Sequence, residues 1–437
     1  MRLRSFLQLL SKEFRELFAS RAFWIMLIIV GALVGHGFIT AIGTYAEVSG
    51  NGNGPAALPQ GLTPLDGILV PTWGAYDLAA TLLFPFVAIR LVAAEKESGA
   101  LKLLLQLPHS LVGKVSTKAL VLISAWVLAW LPGLAAFALW KTYGGHLYKP
   151  ETANLLLGHF LRGLLSAGVG VGAAALAESA SSAAIVTLGL TVGTWALDFV
   201  AAGRGGLLQQ LASYTPTAAL RSFERGLLRL NTVVVMLALS LGGFVVAAIW
   251  LHTGRSVRIR LLATAALVVM VAGVCVAGAR LRSSWDLSEN RRNSFCVADQ
   301  AALRKISAPL KLTVFLAPED PRLTDLEQTV IKKLRRVLTN LQVDYIANGR
   351  TGLFESSEDH YGEIWYEMGG RKVMDRSTIE EVVLDQIYGL AGAPTPERSE
   401  GNDFPGYPLA VPPRGAALIF YLIWPLTVVL CWWLLRR

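Results

Sequence analysis

Long apolar runs alternate with short polar segments along most of the chain. Seven such runs come before residue 280 and an eighth lies near the carboxyl end. Each is close to the ~20 residues that a helix needs to cross a bilayer. The pattern predicts a mainly α-helical, polytopic membrane protein with about eight spans. We place them at residues 22–43, 72–94, 115–140, 155–177, 183–200, 233–250, 261–279 and 416–435.

The first segment has a different pattern. Residues 3–18 place leucine and phenylalanine at helical spacing, whereas Arg4, Lys12, Arg15 and Glu16 fall on the other side. A helix with such an apolar stripe lies on a membrane surface rather than crossing it. We therefore predict an interfacial amphipathic helix before the first span.

The pattern changes again after the seventh run, where residues 281–393 are polar and mix two periods. "LKLTVFLA" predicts a strand, and "EIWYEMGGRKVMD" predicts a hairpin that turns at Gly369–Gly370. Residues 323–341 and 378–392 have the spacing of amphipathic helices. We expect a small α/β domain inserted between the seventh and eighth spans.

This reading divides the chain into six segments. They are an interfacial helix at 1–21, a six-span domain at 22–252, the seventh span at 253–280, the α/β domain at 281–393, a Pro/Gly-rich linker at 394–415 and the eighth span at 416–437.

Composition and charge agree with a membrane protein, since 53% of the residues are hydrophobic and 16% are charged. The net charge is +9, yet residues 281–414 hold 17 basic and 20 acidic residues. The positive excess therefore belongs to the hydrophobic part, where basic loops mark cytoplasmic faces. Nothing indicates the basic soluble surface that nucleic-acid binding needs.

The basic loops predict an orientation. The amino-terminal segment, residues 96–118, residues 255–260 and the carboxyl-terminal Arg436–Arg437 all fall on the cytoplasmic side if the amino terminus is inside. Both termini are then cytoplasmic, the α/β domain is extracytoplasmic, and a bacterial inner membrane is the expected location. Residues 203–230 are the exception, and we predict there an outer surface helix with its arginines at lipid headgroups.

No motif for catalysis occurs in the sequence. A GxxxxGK[ST] loop is absent, so the chain cannot hydrolyse ATP in the P-loop manner. HExxH, GxSxG and paired Cys/His spacings are absent too, and Cys275, Cys296 and Cys431 form no CxxC pair. We expect no enzyme activity, no catalytic residue, no metal and no cofactor.

Ionisable residues inside spans are the usual indicators of function in membrane proteins. Asp77, Arg90, Arg162 and Asp198 are the candidates. Arg90 lies near an inner end and can extend to the headgroups, and both aspartates lie near outer ends. Arg162 is two turns inside the fourth span, so we expect Asp77 or Asp198 as its partner. A structural pair and a substrate contact both remain open.

The segment between the second and third spans carries a resemblance. "LLFPFVAIRLVAAEKESGALKLLLQLPHSLVGKVSTKAL" contains a proline-bearing span, an acidic turn at 95–99 and a short leucine-rich helix ending at Pro108. This resembles type-2 ABC exporter permeases, in particular the gliding-motility type. There a six-span subunit works with a second protein that has one span, a large outer α/β domain and a terminal span. Residues 255–437 resemble that second protein, shortened and fused.

The resemblance implies a permease subunit of an ABC export-type complex, which couples hydrolysis by a separate ATPase subunit to substrate translocation. The implied partners are that ATPase, an identical or different second permease and the lipid bilayer. Glu95 and Glu97 would meet basic groups of the ATPase, and the leucines would anchor a coupling helix at 95–108. The implied coupling residues are Glu95, Lys96, Glu97, Ser98, Gly99, Leu101, Leu104, Leu105 and Pro108, with Lys12, Glu13 and Arg15 from the first helix.

Other interpretations stay open. The complex could be an ATPase-driven mechanical or anchoring device whose outer domain binds a periplasmic or cell-wall partner. An ion-coupled carrier is a third interpretation, and Arg162 and Asp198 would then be essential. The segment 95–108 could also be a plain turn, since Ser98 and Gly99 suit a helix N-cap.

Overall fold

The computed structural model describes residues 3–48, 63–106, 110–201, 208, 212, 214–252, 254–317, 320–346, 360–398 and 412–435. Eight helices within these ranges are long and apolar enough to cross a membrane, which confirms a mainly helical, multi-pass architecture. We number these helices as spans one to eight. They are Arg21–Val48, Leu65–Glu97, Leu111–Thr142, Lys149–Leu176, Ala180–Ala201, Leu230–Trp250, Val257–Ala279 and Ala416–Leu435.

Helix α1, Leu3–Ala19, precedes span one and keeps the predicted amphipathic pattern. Span two begins at Leu65, seven residues before the predicted start at 72, because a turn of π-helix continues it towards the loop. Span three contains a break between Leu111–Leu128 and Leu131–Thr142. Pro132 at the start of the second part explains the break, since its ring cannot donate a backbone hydrogen bond.

The spans differ in how much of their surface the protein covers. In the most apolar stretch of each helix, 72% is buried in span four and 67% in span two. The same share is only 11% in spans seven and eight. Spans two and four therefore form the centre of the membrane part, and spans seven and eight lie at its edge with most side chains facing outwards.

Glycines bring spans four and six into backbone contact. A Cβ atom added at Gly168 would lie 2.4 Å from the carbonyl oxygen of Ser240. One added at Gly243 would lie 2.4 Å from the carbonyl oxygen of Gly168. Small residues at such crossings allow close packing that larger side chains would prevent.

Span eight packs into a second glycine groove, on span one. A Cβ atom at Gly31 would lie 2.0 Å from the ring of Trp424, and one at Gly35 would lie 2.3 Å from the Cβ of Phe420. The indole Nε1 of Trp424 also donates a hydrogen bond of 2.8 Å to the carbonyl oxygen of Leu27. The last span is thus attached to the first.

A small α/β unit lies between spans seven and eight. Its sheet has the strand order β4 (Leu341–Tyr345), β3 (Leu310–Val314), β5 (Ile364–Met368) and β6 (Arg371–Asp375). Strand β3 is parallel to β4 and antiparallel to β5. Helices Val297–Leu303, 321–337 and Glu380–Ala391 pack with it around one core. The strands are β1 Leu227–Arg229, β2 Ser284–Asp286, β3 Leu310–Val314, β4 Leu341–Tyr345, β5 Ile364–Met368 and β6 Arg371–Asp375.

The hairpin of β5 and β6 turns at the predicted glycines. Gly369 and Gly370 have φ of 58° and 81°, values that a two-residue hairpin turn requires and that glycine adopts without strain. The strand predicted in "LKLTVFLA" is β3, and both predicted helices are present. Strand β4 was not predicted, because its five residues directly follow a helix and have no turn signal of their own.

A second, two-stranded sheet joins this unit to the spans. β1 precedes span six and pairs antiparallel with β2, which follows span seven. The amide of Leu230 donates to the carbonyl of Ser283 at 3.1 Å, and that of Leu287 donates to Gly226 at 2.8 Å. The α/β unit is therefore attached at one shared end of spans six and seven.

Candidate functional site

A short helix, α2 (Ala100–Gln106), follows span two and turns away from it. Ser98 ends span two, and its hydroxyl donates to the carbonyl of Ala94 at 2.7 Å. Gly99 has a φ of +74°, and this left-handed conformation lets Ala100–Gln106 begin in a new direction. Ser98 is thus a C-cap of span two, and Gly99 is the residue that directly precedes the new helix. Pro108 lies outside the described residues.

Helix α2 has an inner and an outer face. Leu101 is buried, and Leu104 and Leu105 pack against the hydrophobic core that the spans form. Lys102 is exposed, and Leu103 keeps 69% of its surface accessible. The three leucines that we expected to anchor this helix all lie on its inner face.

A buried ionic cluster fastens α1 to spans two and three. The ammonium of Lys118 on span three donates to both carboxylate oxygens of Glu13, at 3.0 and 2.9 Å. The same Nζ lies 2.9 Å from Oε2 of Glu95 and donates to the carbonyl of Leu91 at 2.7 Å. Lys12 forms a further ion pair with Glu95. One cation therefore holds carboxylates from two other helices.

The cluster changes the interpretation of two predicted coupling residues. The side chain of Glu95 is 4% exposed and that of Glu13 is fully buried. Their carboxylates are already paired inside the protein, so they do not offer charge to a partner surface. Glu97 is exposed and keeps an accessible position.

The electrostatics of the cluster follow from its burial. Desolvation raises the pKa of Glu13 above its ordinary value, and the charge of Lys118 opposes this shift. Burial disfavours the ammonium of Lys12, yet its hydrogen bond to Glu95 and the nearby carboxylates raise its pKa. Oxygen atoms of Glu13, Glu16 and Glu95 lie within 4.8 Å of one another, a spacing that could hold a metal ion. Two lysine ammonium groups satisfy these carboxylates instead.

Two neighbouring residues at the end of span two link it to the turn between spans four and five. The ammonium of Lys96 donates to the carbonyl oxygens of Ala175 and Ala177. A carboxylate oxygen of Glu97 accepts a hydrogen bond of 3.3 Å from the amide of Ala180. The acidic turn thus connects the end of span two with spans four and five.

A cavity of about 230 Å³ opens beside the ionic cluster. It lies between α1, the end of span two and the start of α2, and Glu16, Arg90 and Ser98 are among its lining residues. Arg90 is exposed there, seven residues before the end of its span. Arg15 is exposed on α1. Of these two exposed arginines, Arg90 lines the cavity.

The other intramembrane candidates form separate pairs. Nε of Arg162 lies 3.6 Å from Oδ1 of Asp77, and its Nη2 lies 3.4 Å from the hydroxyl of Thr81. Asp77 is therefore the partner of Arg162, whereas Asp198 forms an ion pair with Arg221. These candidates do not converge on the α1–α2 region.

One residue of the cluster was missed as a site residue. From the sequence, Lys118 is predicted only as one of the basic residues of the cytoplasmic segment 96–118. Glu13 offered a signal, since it lies on the apolar face of α1 with Leu9 and Leu17, four residues away on either side. A carboxylate on such a face predicts a buried cation as its partner.

Comparison of the chain with protein-family models, with curated proteins and with solved structures found no match.

Proposed function

We propose that the chain is the membrane subunit of an ATP-driven, ABC export-type complex in a bacterial inner membrane. A separate ATPase subunit docks on the cytoplasmic side, at what we call the docking face: the exposed side chains of Arg15, Glu97, Lys102 and Leu103. The resemblance of the segment that contains α2 supports this function. The absence of a phosphate-binding loop motif explains why a partner must supply the hydrolysis.

The buried ionic cluster is the observation that carries the proposal. Lys118 joins α1, the end of span two and span three through contacts of 2.9–3.0 Å, so these helices move together. Only Ser98 and Gly99 separate span two from α2. A movement imposed on α2 by nucleotide-driven closure of the ATPase therefore reaches span two directly.

The docking face has the composition of a specific contact. Leu103 is apolar and 69% exposed, and Lys102 beside it is charged and exposed. An apolar anchor flanked by charges gives affinity through the burial of the leucine and selectivity through the charges. A second permease subunit, identical or different, completes the translocation path.

Exchange of the two outward side chains of α2 tests the proposal. The variant Lys102→Glu with Leu103→Asp is expressed in the native cell and purified in mild detergent. Wild type is expected to co-purify with an ATPase subunit whose hydrolysis it stimulates. The variant should retain less than a tenth of that subunit, because charge and apolar contact are both lost.

A matched control separates docking from folding. Val297→Asp introduces the same negative charge as Leu103→Asp, but at an apolar residue of the α/β unit that is 64% exposed. This variant should still co-purify with the ATPase. Unchanged association and unchanged stimulated hydrolysis in the α2 variant would overturn the proposal, as would the absence of any ATPase from the wild-type preparation.

A mechanical role is the second candidate. The β1–β2 sheet joins the α/β unit to the ends of spans six and seven through paired backbone hydrogen bonds, which is a connection suited to transmitting force. In that case the outer domain binds a periplasmic or cell-wall partner, and the complex moves no solute. ATP-dependent uptake into inside-out vesicles that contain the complex favours the exporter, and hydrolysis without uptake favours the mechanical role.

A further inference from the structure

A basic cavity lies where the α/β unit meets spans six and seven. Its volume is about 520 Å³, and its walls come from the start of span six, the end of span seven and the 321–337 helix. Five cationic side chains line it, and none of the described lining residues is acidic. They are Arg229, Arg282, Lys332, Arg335 and Arg336.

An adjoining cavity of about 280 Å³ extends the same positive region. It shares Arg229, Lys332 and Arg336 with the first cavity and adds Arg221, Arg225 and Lys333. None of the described residues that line it is acidic either. Three cationic side chains thus belong to both cavities, and the positive region lies where the α/β unit meets the spans.

Among the described residues, two of the cavity cations, Arg229 and Arg335, lack the ion pairs that the neighbouring cations Lys333 and Arg221 make. Lys333 pairs with Glu380 at 2.6 Å and Arg221 pairs with Asp198. Within the described ranges, no carboxylate lies at ion-pair distance from Arg229 or Arg335.

The hydrogen bonds and the electrostatics of the cavity indicate that it is suited to bind an anion. Arg336 donates to the hydroxyl of Ser284 and to the carbonyl of Asn293, which are neutral groups. Burial and the neighbouring charges of Arg336 and Arg225 lower the pKa of Arg229. Mutual repulsion among partly desolvated cations is relieved when an anion enters, and arginine forks match the geometry of phosphate oxygens.

The base of the cavity points to a membrane lipid. Ala279 is the last residue of span seven, and Leu281 follows it on the cavity wall. Val276, one turn below Ala279, is 60% exposed, so the surface of span seven beneath the cavity is apolar and uncovered. A ligand with a phosphate at one end and acyl chains at the other matches both parts.

We propose that this cavity binds the phosphate headgroup of an anionic phospholipid, whose acyl chains lie along span seven. The lipid would fill the space between the α/β unit and the bilayer and so fix the unit on the membrane surface. This inference does not depend on the proposed function.

Titration of the purified full-length chain with defined lipids tests the proposal. Phosphatidylglycerol in mixed micelles is expected to raise the melting temperature and to bind at least tenfold more tightly than phosphatidylcholine. Binding should weaken as salt rises, because the attraction is ionic. Removal of two cavity charges, Arg282→Ala with Arg335→Ala, should weaken phosphatidylglycerol binding at least tenfold.

A charge-matched variant and a soluble anion make the test decisive. Arg304→Ala with Arg371→Ala removes two exposed charges from the same α/β unit outside the cavity and should bind like wild type. Equal affinities of the two double variants would overturn the proposal, and so would equal binding of both lipids. If glycerol phosphate raises the melting temperature as much as phosphatidylglycerol does, the ligand is a soluble anion and the lipid assignment is wrong.

Discussion

Lys118 has its ammonium group enclosed by two carboxylates and a carbonyl oxygen that belong to other helices. Such a buried pair adds little net stability compared with well-packed apolar residues, because both charges lose their water. Removal of one partner is different, since it leaves an unpaired charge inside the protein. We therefore expect Lys118 to contribute mainly to specificity, because its ion pairs select one position of α1 on spans two and three.

Replacement of Lys118 tests this argument. Lys118→Met keeps an unbranched side chain that is one atom shorter and removes the charge, so Glu13 and Glu95 lose their shared cation. We expect the free energy of unfolding to fall by about 3–5 kcal/mol. Thermal unfolding in detergent should show a clearly lower midpoint.

The matched control for this substitution is Lys102→Met, which removes the same charge from an exposed position on α2. Its midpoint should stay near that of wild type. Equal midpoints for the two variants would show that the buried cluster does not fasten α1.

Glu224 provides a pH-dependent prediction at the end of the Pro216–Glu224 helix. Burial and the charge of Asp77 raise its pKa to about 7, against the opposing charges of Arg221, Arg225 and Arg162. The folded protein therefore binds this proton more tightly than the unfolded chain does. Its contribution to stability is complete below about pH 4.5 and is lost as the pH rises to about 7.

The variant Glu224→Gln removes this titration. Relative to wild type it should gain roughly 1–3 kcal/mol between pH 4.5 and 7. Melting temperatures measured over that range for wild type, Glu224→Gln and the exposed control Glu381→Gln check the prediction. A constant difference between wild type and Glu224→Gln at every pH would contradict it.

At the scale of elements, glycines determine which spans touch. Span eight lies against Gly31 and Gly35 of span one, where the rings of Trp424 and Phe420 occupy the space that side chains would need. Without a hydrophobic driving force between helices in lipid, this close packing and the hydrogen bond of Trp424 hold the last span in place.

Filling the groove should release span eight. Gly31→Leu places a side chain where the ring of Trp424 now lies, whereas Gly43→Leu on the same span meets open space. We expect the first substitution to lower the unfolding midpoint by several degrees and the second to leave it within a degree or so. In proteins of ~150–250 residues, a loss of 1 kcal/mol usually lowers the midpoint by ~2–4 °C. Equal effects of the two leucines would show that the groove is not the attachment point.

At the scale of the whole molecule, the number of spans could be predicted because ~20 apolar residues are a local signal. The hairpin at Gly369–Gly370 was predictable for the same reason. The pairing of Lys118 with Glu13 was not, since 105 residues separate them and only the packing of three helices brings them together. The sequence also suggested that Glu95 faces a partner, and its burial depends on the same long-range contacts.

The orientation of the whole molecule remains a prediction of the basic loops, and thiol labelling can test it. In a variant with Cys275, Cys296 and Cys431 replaced by alanine, a single cysteine is introduced at Val297 in the α/β unit or at Lys102 in α2, both exposed positions. A membrane-impermeant maleimide applied to intact spheroplasts should label Val297→Cys. It should label Lys102→Cys only after permeabilisation, because the five spans between these two positions, spans three to seven, put them on opposite sides. A membrane-permeant maleimide that labels both variants serves as the control for folding and access. The reverse pattern would put the α/β unit in the cytoplasm, and the docking face would then be on the side without ATP.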